Sequence, residues 1–135
     1  MTKEETYKAF AETNFIVKQT KDTSIVLKID ETSDDLQTFF PGIETWAFIT
    51  AWNPLPLVLS LEENRKRNEE LENELKNNGL QYNLGLGVSA DGNWSEESFF
   101  LINCNKETAK ELGKKFNQLA IVYGEKKNTN QLLFL

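Results

Sequence analysis

The chain has no histidine and one cysteine, Cys104. Without histidine there is no Ser-His or Cys-His nucleophile pair and no imidazole zinc site, which removes many familiar hydrolase chemistries. Any catalysis would rest on Glu, Asp, Lys, Arg, Tyr or a bound hard cation, and the residues themselves call for no metal and no cofactor. A lone cysteine cannot close an internal disulfide, and Cys104 lies in an apolar run where a small buried thiol is the ordinary role. Apolar runs are short: none approaches the roughly 18 residues of a membrane span. The segment from Met1 to Phe10 is charged and lacks the apolar centre of a signal peptide, so a cytoplasmic location and no membrane partner are expected. Positive charge is also scarce, with 15 Lys and Arg against 21 Asp and Glu, a net charge of -6 and a pI near 4.8. That field repels phosphate backbones, so no nucleic acid duplex is expected as a partner, although one Arg with backbone amides could hold a small anion locally. No repeat, low-complexity tract or Pro/Gly/Ser-rich linker interrupts the chain.

What is present is enough for one core. A length of 135 residues, with nine Phe, three Trp and three Tyr, suits a single domain over 1–135. Periodicity predicts a helix over about Lys3 to Ala11, then a hairpin of strands Asn14 to Lys18 and Ser24 to Ile29. A short helix follows, capped by Thr32 or Ser33 and ended by Pro41-Gly42. The run Trp46 to Trp52 is apolar on both faces, as a central strand would be, and Asn53-Pro54 closes it with Asn53 held extended by the proline. After a loop, Ser60 and Glu63 form a capping box that starts the longest helix, which runs to Asn78 with Gly79 as its left-handed terminator. A second hairpin joins Tyr82 to Val88 and Ser98 to Asn103 through Asp91-Gly92. A helix over about Lys106 to Asn117 buries Ala109, Leu112 and Phe116, and a terminal hairpin pairs Ala120 to Tyr123 with Gln131 to Leu135. The class is α+β: a mixed, mainly antiparallel sheet with helices packed on it.

The longest helix holds the main anomaly. A core stripe at 61, 64, 68, 71 and 75 is kept by Leu61, Leu71 and Leu75 but broken by Asn64 and Asn68, and Arg67 projects beside it. Either these groups bond to neighbouring loops and water, or they face a cavity at the end of the central strand. Asn53 stands where sheet proteins open a crevice, and is otherwise a turn residue. Trp94-Ser95-Glu96-Glu97-Ser98 offers an indole for stacking, carboxylates as acceptors and, if one is desolvated, a general base; an acidic solvated turn is the alternative. Gly85-x-Gly87 lacks the rest of a dinucleotide fingerprint and suits close approach of backbone to a neighbour or ligand.

Trp46-Ala47-Phe48-Ile49-Thr50-Ala51-Trp52-Asn53-Pro54, Glu63-Asn64-x-x-Arg67, Gly92-x-Trp94-x-Glu96-Glu97-Ser98 and Phe116-x-Gln118-x-Ala120-Ile121-Val122 occur in this order. The set resembles the bacterial domain-of-unknown-function family 3293. The resemblance implies a prokaryotic or phage setting, assigns no activity, and marks Asn53, Asn64, Arg67, Trp94, Glu96, Ser98 and Gln118 as the polar and aromatic members of the pattern. The chain departs from it at Asn117, where a glycine is usual.

The leading expectation is a small-molecule-binding module, for a nucleotide-like ligand among others. In it Arg67 pairs an anion, Asn53, Asn64 and Gln118 supply directional hydrogen bonds, and Trp94 stacks on a ring. The alternatives are a hydrolase or transferase with Glu96 or Glu97 as base or cation ligand and Arg67 stabilising negative charge, and a protein-interaction module that uses exposed aromatic residues.

Overall fold

The computed structural model describes residues 2–54 and 57–135. Met1, at the start of the charged N-terminal segment, and Leu55 and Pro56, in the loop after Asn53-Pro54, lie outside the described residues. The elements are α1 (Lys3–Ala11), β1 (Asn14–Lys18), β2 (Ser24–Leu27), α2 (Leu36–Phe39), β3 (Thr45–Ile49), α3 (Leu61–Asn77), β4 (Gln81–Val88), β5 (Ser95–Ile102), α4 (Lys106–Lys115), β6 (Ala120–Glu125) and β7 (Gln131–Phe134). Seven strands form one sheet in the order β2-β1-β4-β5-β3-β6-β7, and every neighbouring pair is antiparallel. The α+β assignment holds.

Local chemistry explains the helix boundaries. Ser60 and Glu63 form both halves of a capping box at the start of α3. At its end Gly79, at φ +65°, lets Leu80 N–H donate to Leu75 O at 3.0 Å and Gly79 N–H to Lys76 O at 3.1 Å, a Schellman termination. The same pair of bonds ends α4, from Gln118 N–H to Gly113 O and from Asn117 N–H to Lys114 O. Asn117 takes the left-handed conformation there, at φ +58°. Asparagine is the residue that best tolerates that region after glycine, which accounts for its standing at a glycine position. By contrast α2 begins without a side-chain cap: its N-cap is Asp35 rather than Thr32 or Ser33, because the turns through Ser33 and Asp34 already lead into the helix through backbone bonds.

The sheet divides the core in two. On one face Ala47, Ile49, Phe99, Leu101, Ile121 and Tyr123 meet the apolar sides of α3 and α4. On the other, Phe15, Val17, Leu27, Trp46, Phe48 and Phe100 pack together with α1 and α2 covering them. Curling brings the two sheet edges together on this second side: Ile29, just past β2, bridges Asn130, just before β7. Asp30 N–H donates to Asn130 O and Asn130 N–H to Glu31 O, both at 2.9 Å. The fully buried Asn130 side chain completes the clasp. Its Nδ2 donates to Lys28 O, Glu31 O and Ser33 Oγ, and its Oδ1 accepts from Trp46 Nε1 at 2.8 Å.

Cys104 lies in the helix-side core, and burial pushes its thiol up to about 11. A thiol reagent at pH 8 should therefore react with the folded protein about 100-fold more slowly than with free cysteine, from thiolate fraction alone. In denaturant one thiol per chain should react at the free rate.

Candidate functional site

β3 ends at Ile49, not at Trp52, and that early end organises the site. Beyond it the backbone groups of 50–53 have no strand ladder, and α3 supplies side chains instead. Ala51 N–H donates to Asn68 Oδ1 at 2.8 Å, and Asn53 N–H donates to Asn64 Oδ1 at 2.8 Å. Arg67 Nε donates to Ala51 O at 2.7 Å, and its second guanidinium nitrogen donates to Phe116 O at 2.6 Å. The two amides thus replace leucine because backbone that has left the sheet still needs partners. Asn53 is not held extended by Pro54. It adopts φ +47°, a left-handed geometry fixed by Asn64 on its N–H and by Leu59 N–H and Asn64 Nδ2 on its Oδ1. Leu61, expected in the core stripe, is exposed.

That conformation sends Asn53 Nδ2 toward β5, where it donates to Glu96 Oε2 at 3.1 Å. Trp94 Nε1 donates to the same oxygen, also at 3.1 Å, so the indole stands against the carboxylate. The hairpin turn fixes Trp94 from behind: its N–H donates to Ser89 Oγ, its carbonyl accepts from Ser89 N–H, and Asp91 accepts from Ser89 Oγ and Asn93 N–H. Glu96 Oε1 has no hydrogen bond among the described residues. Burial raises the Glu96 carboxyl above its ordinary range, and the bonds from Asn53 and Trp94 oppose that shift only in part.

Glu96 shares a row across the sheet with Gly87 on β4 and Phe15 on β1. Directly opposed residues project from the same face. At Gly87, between the two, a β-carbon would meet nothing closer than 3.9 Å. Gly85, two residues earlier, differs: a β-carbon there would lie 2.7 Å from the Phe48 ring. One glycine of the pair therefore accommodates a neighbouring ring, and the other leaves space. The space is a cavity of about 420 Å³ on the α1 side of the sheet. Phe10, Phe15 and Phe48 form its apolar wall, with Phe15 and Phe48 in edge contact at 5.2 Å between centroids. Trp94, Glu96, Ser98 and Gln118 form the more polar side. Gln118 Nε2 donates to Trp52 O and Phe116 O, which aligns that side chain along the rim.

Four of the sequence-marked residues thus line one cavity, and Asn53 reaches it through Glu96. Asn64 and Arg67 stand one layer back, bonded to the backbone that places Asn53 and Ala51. Glu97 is on the opposite face in a two-pronged ion pair with Arg65, at 3.0 and 3.1 Å. Phe10 and Phe15 carried no mark in the sequence, while Gly85 and Gly87 stood out as a pair suited to close approach of backbone to a neighbour or ligand. The alternation of Gly85 and Gly87 was the available signal, but only the strand register separates their roles.

A family model described as Protein of unknown function (DUF3293) matches residues 49–121, more than half of the chain. The chain belongs to this family. The part matched by the DUF3293 model contains the irregular segment, α3, the β4–β5 hairpin and α4, hence Gly87, Trp94, Glu96, Ser98 and Gln118. Phe10, Phe15 and Phe48 lie outside it. No curated protein and no solved structure matches the chain. No described helix is long and apolar enough to cross a membrane.

Proposed function

We propose that this DUF3293 chain is a small-molecule-binding domain whose guest sits above Gly87, between Phe15 and the Trp94–Glu96 pair. The observation that carries this reading is the open space at Gly87. Its volume, about 420 Å³, falls in the range of ordinary ligand sites, and its walls combine aromatic surface with a few oriented polar groups. Trp94 offers a stacking face, while Glu96, Ser98 and Gln118 offer directional hydrogen bonds. Asn53, Asn64 and Arg67 act as positioning residues, holding the segment that orients Glu96. The ring of a nucleotide-like ligand has a seat on Trp94; its phosphates have none, because the Arg67 guanidinium points at two carbonyls.

Gly87→Val tests this directly. Valine suits a strand and has room for its β-carbon, so stability should stay within about 1 kcal/mol of the parent or rise. Its two methyl groups would occupy the guest's space. In ligand-detected magnetic resonance with a mixture of small aromatic compounds, the parent should show saturable binding and Gly87→Val should lose it at least tenfold. Equal binding by both proteins would refute the placement.

A second reading has one observation in its favour: a carboxyl raised by burial is suited to general acid-base work. In that case Glu96→Gln would abolish turnover of a bound compound while leaving its binding intact.

A further inference from the structure

Resting on that binding site, we propose that the cavity selects an organic cation, a protonated amine on a compact apolar or aromatic body, over neutral and anionic molecules of the same shape. Among the described residues its lining includes two carboxylates, Glu96 and Glu12, and no lysine or arginine. Both arginines of the chain are engaged elsewhere, Arg67 with the carbonyls of Ala51 and Phe116 and Arg65 with Glu97 on the far face.

Within Glu96 the two oxygens are unlike. Oε2 accepts from both Asn53 and Trp94, whereas Oε1 has no bond among the described residues, and Glu96 is part of the cavity wall. An ammonium N–H donating to Oε1 would make a charge-assisted hydrogen bond in a partly desolvated setting, where such bonds are strongest. The Trp94 indole is tied to the same carboxylate through its N–H and is 49% exposed, which leaves indole surface available to a cation. Indole is the best aromatic partner for a positive charge. Phe10, Phe15 and Phe48 would take the apolar body. An anionic guest would instead set a second negative charge beside a carboxylate that burial already disfavours, and the net charge of -6 adds to that bias at long range.

The pH dependence follows. Only ionised Glu96 pairs with an ammonium, so affinity for the cation should fall as pH is lowered through the raised titration of Glu96. Among the described residues the groups bonded to the Glu96 carboxylate, Asn53 and Trp94, are uncharged, and Glu12 at the end of α1 is the other titratable group in the lining.

The test compares benzylamine, benzyl alcohol and benzoate, followed through the Trp94 indole N–H resonance, assigned by its disappearance in Trp94→Phe. Benzylamine should bind at least tenfold more tightly than benzyl alcohol at pH 7.5, and benzoate more weakly than either. Glu96→Gln keeps an acceptor for Asn53 and Trp94 and should reduce the amine's advantage over the alcohol to under threefold. In the unaltered protein the amine's advantage should shrink on acidification, a readout that needs no variant. Equal binding of the three probes, or a preference for benzoate, would overturn the charge selectivity and leave the binding site standing. Failure of all three to perturb Trp94 would count against the site itself.

Discussion

Replacing Gly124 with alanine is expected to destabilise the protein by about 4 kcal/mol, lowering its melting temperature by roughly 14 °C for a chain of this size. Gly124 lies opposite Trp46 in the β3–β6 pair. A β-carbon there would overlap the Trp46 indole at Nε1 and Cε2 and come within 2.7 Å of Asn130 Oδ1. These are the two ends of the bond that clasps the sheet edges. Trp46 and Asn130 are both buried, so neither can swing aside into solvent. The methyl group therefore adds overpacking to the loss of a buried hydrogen bond, two of the mechanisms behind large single-site effects. Gly87→Ala, the same chemical change where there is room, should cost less than about 1 kcal/mol or stabilise slightly. Thermal unfolding of both variants checks the contrast. A Gly124→Ala protein as stable as its parent would mean that the edges are not clasped through Trp46.

Asn68→Leu is the second large effect, and its sign runs against hydrophobic patterning. Leucine at 68 would complete the stripe of Leu71 and Leu75, raise helix propensity and bury more apolar surface. It would also leave Ala51 N–H without its acceptor in a fully buried setting and remove a donor from Glu97 O. An orphaned buried donor costs about 1–3 kcal/mol, and the lost bonds add to that. The expected net destabilisation is about 2–3 kcal/mol, measured as a lower denaturant midpoint at unchanged slope. A gain in stability would show that the 50–53 segment finds other partners, and that α3 does not hold it.

Much of the architecture was legible because local chemistry agrees with it. The capping box at Ser60 and Glu63, the terminator at Gly79 and the strand periods of 14–18 and 82–88 each follow from short-range rules, and the structure obeys them. Less legible was the point where β3 leaves the sheet. The run from Trp46 to Trp52 is apolar throughout, so composition alone extends the strand past Ile49, and Pro54 suggested an extended Asn53. Asn64 reverses that outcome from 11 residues away by bonding the Asn53 N–H. The amides of α3 were correctly singled out as anomalous, but their partners are backbone groups that a helical wheel cannot show. Similarly, Phe15 and Phe48 read as core residues like any others. Only the register that sets Phe15, Gly87 and Glu96 in one row distinguishes a wall from an interior. The clasp of Trp46 and Asn130 spans 84 residues and left no local mark.

The most direct measurement is a crystal structure of the protein soaked in benzylamine. Density is expected above Gly87, with the ring against the wall of Phe10, Phe15 and Phe48 and the ammonium beside the Trp94 indole, within hydrogen-bonding distance of Glu96 Oε1. Density confined to the opposite face of the sheet, beside the Arg65–Glu97 ion pair, or a Trp94 ring folded over Gly87 with no space beneath it, would contradict this placement.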